Sequence, residues 1–307
     1  MRTLLLALIF IFTGTSMAVA ENPKVVASVK PIHSLVAAVM GDTGNPELLV
    51  SGGASPHTFT LKPSHAATLT NADLVFWVGP DLEGFLINPV ANLVEEQASI
   101  PLARSQGIEF LEAREGGVWE PHHHHEEHGE EDEDTDEHQS DPHIWLDIDN
   151  ALVLITEIET RLATTYPSLA PVFSKNAMDL RAELQQLDIE LKNQLNPVRT
   201  QPYIVFHDAY QYFEKRYGLS PSGSVTANPE VRPGARRISD LKNASDGAIC
   251  VFAEPQFEAR ILQLLTEDDG VRLGYLDPLG SALPQGADHY AATLRALATS
   301  ISDCLSQ

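Results

Sequence analysis

The sequence predicts an α/β protein of two lobes, each a mostly parallel sheet with flanking helices, joined by one long linking helix. Three features predict it. Short β-rich runs alternate with helical ones from Lys24 to Glu96, and the same rhythm returns from Tyr203 to Cys304, as expected of parallel sheets with crossover helices. Between these stretches the chain runs from Ser168 to Asn196 without a glycine, and Leu180, Leu184, Leu187, Leu191 and Leu195 recur at three-to-four spacing. A length of 307 residues suits one large domain or two.

Taken in order, Met1-Arg2-Thr3 is basic, Leu4 to Phe12 is a short apolar run, and Ala18-Val19-Ala20 supplies small residues. That is the three-part pattern of a secretory signal peptide, residues 1–20, with cleavage expected after Ala20. The apolar run is too short to span a bilayer comfortably. No cysteine stands near the cleavage point, so no lipid anchor is expected. The N-terminal lobe, 21–166, opens with a strand at Val25 to Val29 and a helix from Ile32 to Met40, stopped by Gly41. A strand at Pro46 to Val50 leads into the loop Ser51 to His57. A helix over Lys62 to Asn71, a strand over Ala72 to Val78 and a helix over Leu82 to Glu96 follow.

From about 115 to 141 the character changes. His122, His123, His124, His125, His128 and His138 are interleaved with acids and have no apolar residue able to hold a core position, which predicts a solvated loop. Imidazole and carboxylate suit first-row divalent metals, zinc especially. A plain acidic linker is the competing reading. An expression tag is disfavoured, because tags sit at termini. The loop ends at Asp141-Pro142-His143-Ile144-Trp145-Leu146, where one histidine stands beside large apolar residues, the setting of an ordered ligand.

A helix over Asp149 to Thr165 precedes the linking helix, 167–196, which at about 1.5 Å per residue is roughly 40 Å long. Coiled-coil pairing is the alternative, but the leucine stripe is short for one. The C-terminal lobe, 197–307, has strands at Tyr203 to Phe206, Ala248 to Ala253 and Arg272 to Leu276, and helices at Ala209 to Tyr217, Phe257 to Leu265 and Tyr290 to Cys304.

Composition limits the partners. A net charge of −23 repels nucleic acid and anionic membrane surfaces, although much of it sits in the acidic loop. Cys250 and Cys304 are the two cysteines, and in an exported protein an even pair reads as a disulfide, two free thiols being the alternative. The ligand candidates lie at strand ends. His57 and His207 each follow a strand, in different halves, His143 closes the acidic loop, and Asp277 ends a strand. Any one of them alone reads equally well as structural. Functional loops in parallel sheets lie beyond the carboxyl ends of strands, so the three imidazoles meet if the two lobes face each other. Three histidines suit zinc, with Asp277 or a water completing a tetrahedron. Of the rest, His33 sits at a strand-to-helix corner that can line the cleft, and His65 and His289 read as solvated.

These residues carry a resemblance to the ZnuA family, the periplasmic zinc-binding receptors of bacterial ABC transporters. Gly53-Ala54-Ser55-Pro56-His57, Asn71 to Val75, Asp141 to Leu146, Phe206-His207-Asp208-Ala209-Tyr210, Asn228 to Ala235, Cys250 to Gln256 and Leu276 to Gly280 carry it. The resemblance implies two lobes with the metal between them, and places His57, His143 and His207 on zinc-ligand positions. Manganese-type relatives carry a carboxylate where His207 stands. Asp277 matches a fourth ligand of some relatives; in others water, or a carboxylate just before the first histidine, takes that place, and here Pro56 stands there. A second zinc site in some relatives uses a histidine in the turn matching Ser222-Gly223-Ser224, which has none.

The expected function is a periplasmic, monomeric zinc receptor with no enzymatic activity and no membrane anchor, serving an inner-membrane ABC transporter permease. A manganese or iron receptor of the same build is one alternative. A secreted zinc hydrolase is another, since three histidines and a water also describe catalytic sites. The sequence has no His-Glu-x-x-His motif, and Glu254 is its only strand-end candidate for a general base.

Overall fold

Two four-stranded sheets, each parallel throughout, carry the architecture. The computed structural model describes residues 22–114, 119, 140–226, 229, 233–244, 247–257, 262, 266 and 270–306. The expected signal peptide, the histidines from His122 to His138 and most of the helix expected over 257–265 lie outside the described residues.

The first sheet contains β1 (Val25–Ala27), β2 (Glu47–Leu48), β3 (Leu74–Trp77) and β4 (Ser99–Pro101), in the order β2-β1-β3-β4. The second contains β5 (Pro202–His207), β6 (Ser220–Thr226), β7 (Cys250–Ala253) and β8 (Arg272–Tyr275), in the order β6-β5-β7-β8. β1, β3, β5 and β7 are apolar along nearly their whole length because helices cover both faces of a parallel sheet. In each sheet the chain leaves the first strand to one side and returns to pair on the other. That reversal opens a crevice beyond the carboxyl ends of β1 and β3, and of β5 and β7.

The helices are α1 (Lys30–Met40), α2 (Pro63–Thr70), α3 (Ile87–Leu93), α4 (Ile148–Thr165), α5 (Ala170–Leu195), α6 (Gln211–Tyr217), α7 (Ala235–Ala244) and α8 (His289–Leu305). α5 has 26 residues and spans about 39 Å. Its leucine stripe is buried against α1, α4 and α8 within the same chain, not against a partner helix. One continuous apolar cluster runs from Val25 and Ile32 in the first half, through α4 and α5, to Leu297 and Ile301 in α8.

Several elements differ from expectation. The helix expected over Leu82 to Glu96 is confined to α3, flanked by short turns at Gly84–Leu86 and Glu96–Ala98. Pro89 accounts for its start, since proline is tolerated only in the first turn. Strands β4 and β6 and helix α7 carry no clear periodic signal in the sequence. Both strands are sheet edges containing proline, and β6 meets β5 through a register shift at Tyr203/Ile204. His289 is buried, not solvated. Its Nε2 lies 2.8 Å from the Leu279 carbonyl and its Nδ1 2.9 Å from that of Pro284, so the ring ties the loop after β8 to α8. His33 is buried as well, with Nε2 3.0 Å from the Pro46 carbonyl.

The two cysteines form a disulfide that fastens β7 to α8. Gly274, opposite Phe252 on β8, leaves room for that ring: a Cβ there would stand 2.6 Å from it.

Candidate metal centre

Each of the three histidines is placed by a different local device. His57 follows β2 in a glycine- and serine-rich loop, with its N–H 3.3 Å from the Ser55 hydroxyl. His143 precedes the turn Ile144–Leu146, whose side chains are buried. Trp145 packs edge-on to its ring and donates its indole N–H to the Pro278 carbonyl at 2.9 Å, fastening this turn to the loop after β8. His207 is the last residue of β5 and lies in the second sheet's crevice.

The three side chains converge. Ring centroids are 4.9 Å apart for His143 and His207, 5.2 Å for His57 and His207, and 5.6 Å for His57 and His143. One nitrogen from each lies within 4.8 Å of the others. Donors bonded to tetrahedral zinc at about 2.0–2.1 Å stand about 3.4 Å apart, so small side-chain movements bring all three onto one ion. His143 and His207 are buried and His57 is half-buried, on the rim of a cavity of about 20 Å³, room for about one water.

Burial favours the neutral form of His57 and His207. Burial holds His57 well below the ordinary imidazole range, and the neighbouring rings of His207 and His143 add to the effect. His207 is likewise pushed well down by burial and by His143, with Asp141 opposing. Neutral imidazole is the form that coordinates.

Known proteins resemble this chain in sequence and fold. The family model described as "Zinc-uptake complex component A periplasmic" (ZnuA) matches residues 25–304. The High-affinity zinc uptake system protein ZnuA of Brucella suis is 41% identical over 332 aligned residues, covering 100% of this chain and 99% of that protein. The protein of the same name from Yersinia pestis is 36% identical, over 92% of this chain and 91% of its own. The chain belongs to the ZnuA family. A ZnuA crystal structure superposes with a TM-score of 0.78 at 25% identity, covering 93% of this chain and 100% of that one. FpvC from Pseudomonas aeruginosa, solved with Mn2+, shares the fold with a TM-score of 0.76 at 19% identity, over 93% and 99% of the two chains.

ZnuA-family resemblance offered Asp277 as a fourth ligand, yet it stands outside the converging group. Its Oδ1 accepts from Gln256 Nε2 at 2.7 Å and from the Leu279 N–H at 3.1 Å, while Oδ2 accepts both the N–H and the hydroxyl of Ser281 at 2.6 Å. These bonds shape the loop after β8.

Two carboxylates not foreseen as imidazole partners flank the converging rings. Asp141 Oδ1 lies 2.7 Å from His143 Nδ1 and accepts the His143 N–H at 2.9 Å. Such a partner fixes the tautomer and leaves Nε2 to the metal. Its signal was the acid two residues before the histidine. Glu254 Oε1 lies 3.5 Å from His207 Nδ1 and accepts the Tyr210 hydroxyl at 3.0 Å. Only strand register reveals this pairing: β5 and β7 run parallel with Val205 opposite Phe252, which brings His207 level with Glu254.

The foot of the acidic loop is clamped beside the centre. Glu112 bridges Ser140, the Asp141 N–H donates to Leu111 O at 2.9 Å, and the Tyr212 hydroxyl joins both sides. Arg114 reaches from this foot to Asp208 and Glu214, and lies over the Trp119 ring at 3.6 Å.

Proposed function

We propose that this chain is a periplasmic zinc receptor that binds one Zn2+ through His57, His143 and His207 and hands it to an inner-membrane ABC transporter permease. The convergence of three imidazoles between the two sheets carries the reading. An all-nitrogen set favours zinc over manganese, which prefers carboxylate and other oxygen donors. The family supports the same cargo: its relatives are named for high-affinity zinc uptake, and a ZnuA deletion mutant has been solved with zinc bound. The metal is cargo, so the site has to be pre-formed, dry enough to bind tightly and open enough to release.

The working division is a first lobe over 21–166, a linking helix over 167–196 and a second lobe over 197–307, preceded by a cleaved export signal over 1–20. Among the described residues no helix is long and apolar enough to cross a membrane. The protein acts as a monomer without a membrane anchor. The acid- and histidine-rich loop gathers additional metal weakly, through His122, His123, His124, His125, His128 and His138.

A receptor, not a hydrolase, is the reading we adopt. Glu254, the acid a hydrolase would use as base, faces His207 and Tyr210, and burial pushes its carboxyl up to about 8. Its Oε1 lies 3.5 Å from His207 Nδ1 and accepts the Tyr210 hydroxyl, the place of an outer partner that orients a ligand imidazole and not of a base facing a substrate.

Metal analysis of protein purified from the periplasm, followed by competition with a chelator, tests the assignment. One tightly held zinc per chain is expected. Manganese or iron held in preference to zinc would overturn it.

A further inference from the structure

Gln256 lies in the wall of the cleft with its amide held one way round. Its Nε2 meets Asp277, and that carboxylate takes three further donors from Leu279 and Ser281. Four donors on one carboxylate define it as an acceptor, so Gln256 must present its NH2 to Asp277 and its Oε1 to the opposite side. Among the described residues that Oε1 has no hydrogen-bond partner, although the atom is buried. The same residue lines the cavity together with His57, His143 and His207. The Tyr210 hydroxyl is engaged elsewhere, on Glu254.

A buried carbonyl oxygen without a donor is costly; none of the described residues supplies one, and an occupant of the cavity that Gln256 lines is placed to do so. Three imidazoles leave one position on a tetrahedral zinc. Water in that position carries hydrogens. A carboxylate, chloride or azide does not, and would set its lone pairs against those of Oε1.

We propose that Gln256, oriented by Asp277, is the acceptor for the water that completes the coordination of the bound zinc, and that it excludes acceptor-only anions from that position. Asp277 is then a positioning residue acting through Gln256, which explains how a strand-end acid beside the centre serves it without ligating. The proposal rests on the receptor reading and deepens it.

The test uses the mature protein and its Gln256→Leu and Gln256→Met variants, with zinc affinity measured by chelator competition. The cobalt-loaded forms are titrated with azide and followed by visible absorption. Loss of one hydrogen bond to the bound water is expected to weaken zinc by about tenfold. Azide should enter the variants at a concentration at least about tenfold lower than in wild type. Asp277→Asn, which lets the Gln256 amide turn over, should give the same azide sensitivity, and the double variant should be no more sensitive than either single one. Unchanged azide sensitivity in both Gln256 variants, with or without weaker zinc, would overturn the proposal. A wild-type protein that takes up neither cobalt nor zinc would overturn the receptor reading instead.

Discussion

Single side chains set both the strength and the pH response of this centre. Removing one of three imidazoles leaves a bidentate site, so His57→Ala, His143→Ala and His207→Ala should each weaken zinc by a hundredfold or more, read by chelator competition. Asp141→Asn keeps the fold but weakens the grip on His143 Nδ1, and outer partners of this kind are worth about 10–100-fold in affinity. Equal affinity in wild type and Asp141→Asn would show that His143 is oriented by packing alone. The pH response follows from His57 and His207, whose folded values lie well below the unfolded reference of about 6.5. Below that reference the unfolded chain binds protons that the buried neutral rings refuse. Their contribution to stability is therefore complete above pH of about 6.5 and is lost as pH falls toward the folded values. Urea unfolding of the metal-free protein should show a midpoint that declines on acidification through this window, with a shallower decline in His207→Gln. A midpoint independent of pH from about 7 to 5 would contradict the buried neutral assignment.

At the scale of elements, the disulfide and the loop foot make separable predictions. Cys250 and Cys304 lie 54 positions apart, and closing a loop of that length stabilises by roughly 4 kcal/mol on the chain-entropy account. A double Cys→Ser variant should melt well below wild type yet still bind zinc, because neither sulfur touches the centre. Equal melting temperatures would show that α8 is held by packing alone. The loop foot closes on itself through Glu112, Ser140 and Tyr212. Deleting Pro121 to Gln139 should therefore remove weak extra metal and leave the tight ion, as isothermal titration would show. Loss of the tight ion with the fold intact would mean that the loop supplies a primary ligand. The same scale explains what could be read from sequence. Central strands such as Leu74–Trp77 were legible because burial on both faces demands an unbroken apolar run. Edges such as Ser220–Thr226 were not, because one exposed side accepts Pro221 and Gly223. The three converging histidines were legible as candidates from their place at strand and loop ends. The Glu254–His207 pairing depends on the register between strands distant in sequence, and the burial of His289 depends on carbonyls that only the folded loop presents.

Across the whole molecule, the two sheets share one apolar core and do not behave as independent bodies. Leu180, Leu184, Leu187, Leu191 and Leu195 of α5 are all buried, at about 1.5–3 kcal/mol each for full burial. The same cluster contains Val25 of the first sheet and Leu297 and Ile301 of α8, which packs beside the second. Polar ties cross as well: Lys30 at the head of α1 donates to the Ser281 and Leu283 carbonyls at 2.6 and 2.9 Å, and Ser34 donates to Ala287 at 2.7 Å while accepting the Tyr290 N–H. Opening the sheets apart as rigid bodies would break these bonds and expose part of the leucine stripe, a larger cost than moving the half-buried loop that carries His57. Exchange of the metal should therefore proceed through that loop while the frame stays closed. Calorimetry is expected to show one cooperative unfolding transition for the metal-free protein, shifted upward as a single peak by zinc. Solution scattering should give the same radius of gyration with and without the ion. Two separated transitions, or a zinc-dependent contraction of the whole particle, would show instead that the halves fold or move apart and that the shared core is weaker than its burial implies.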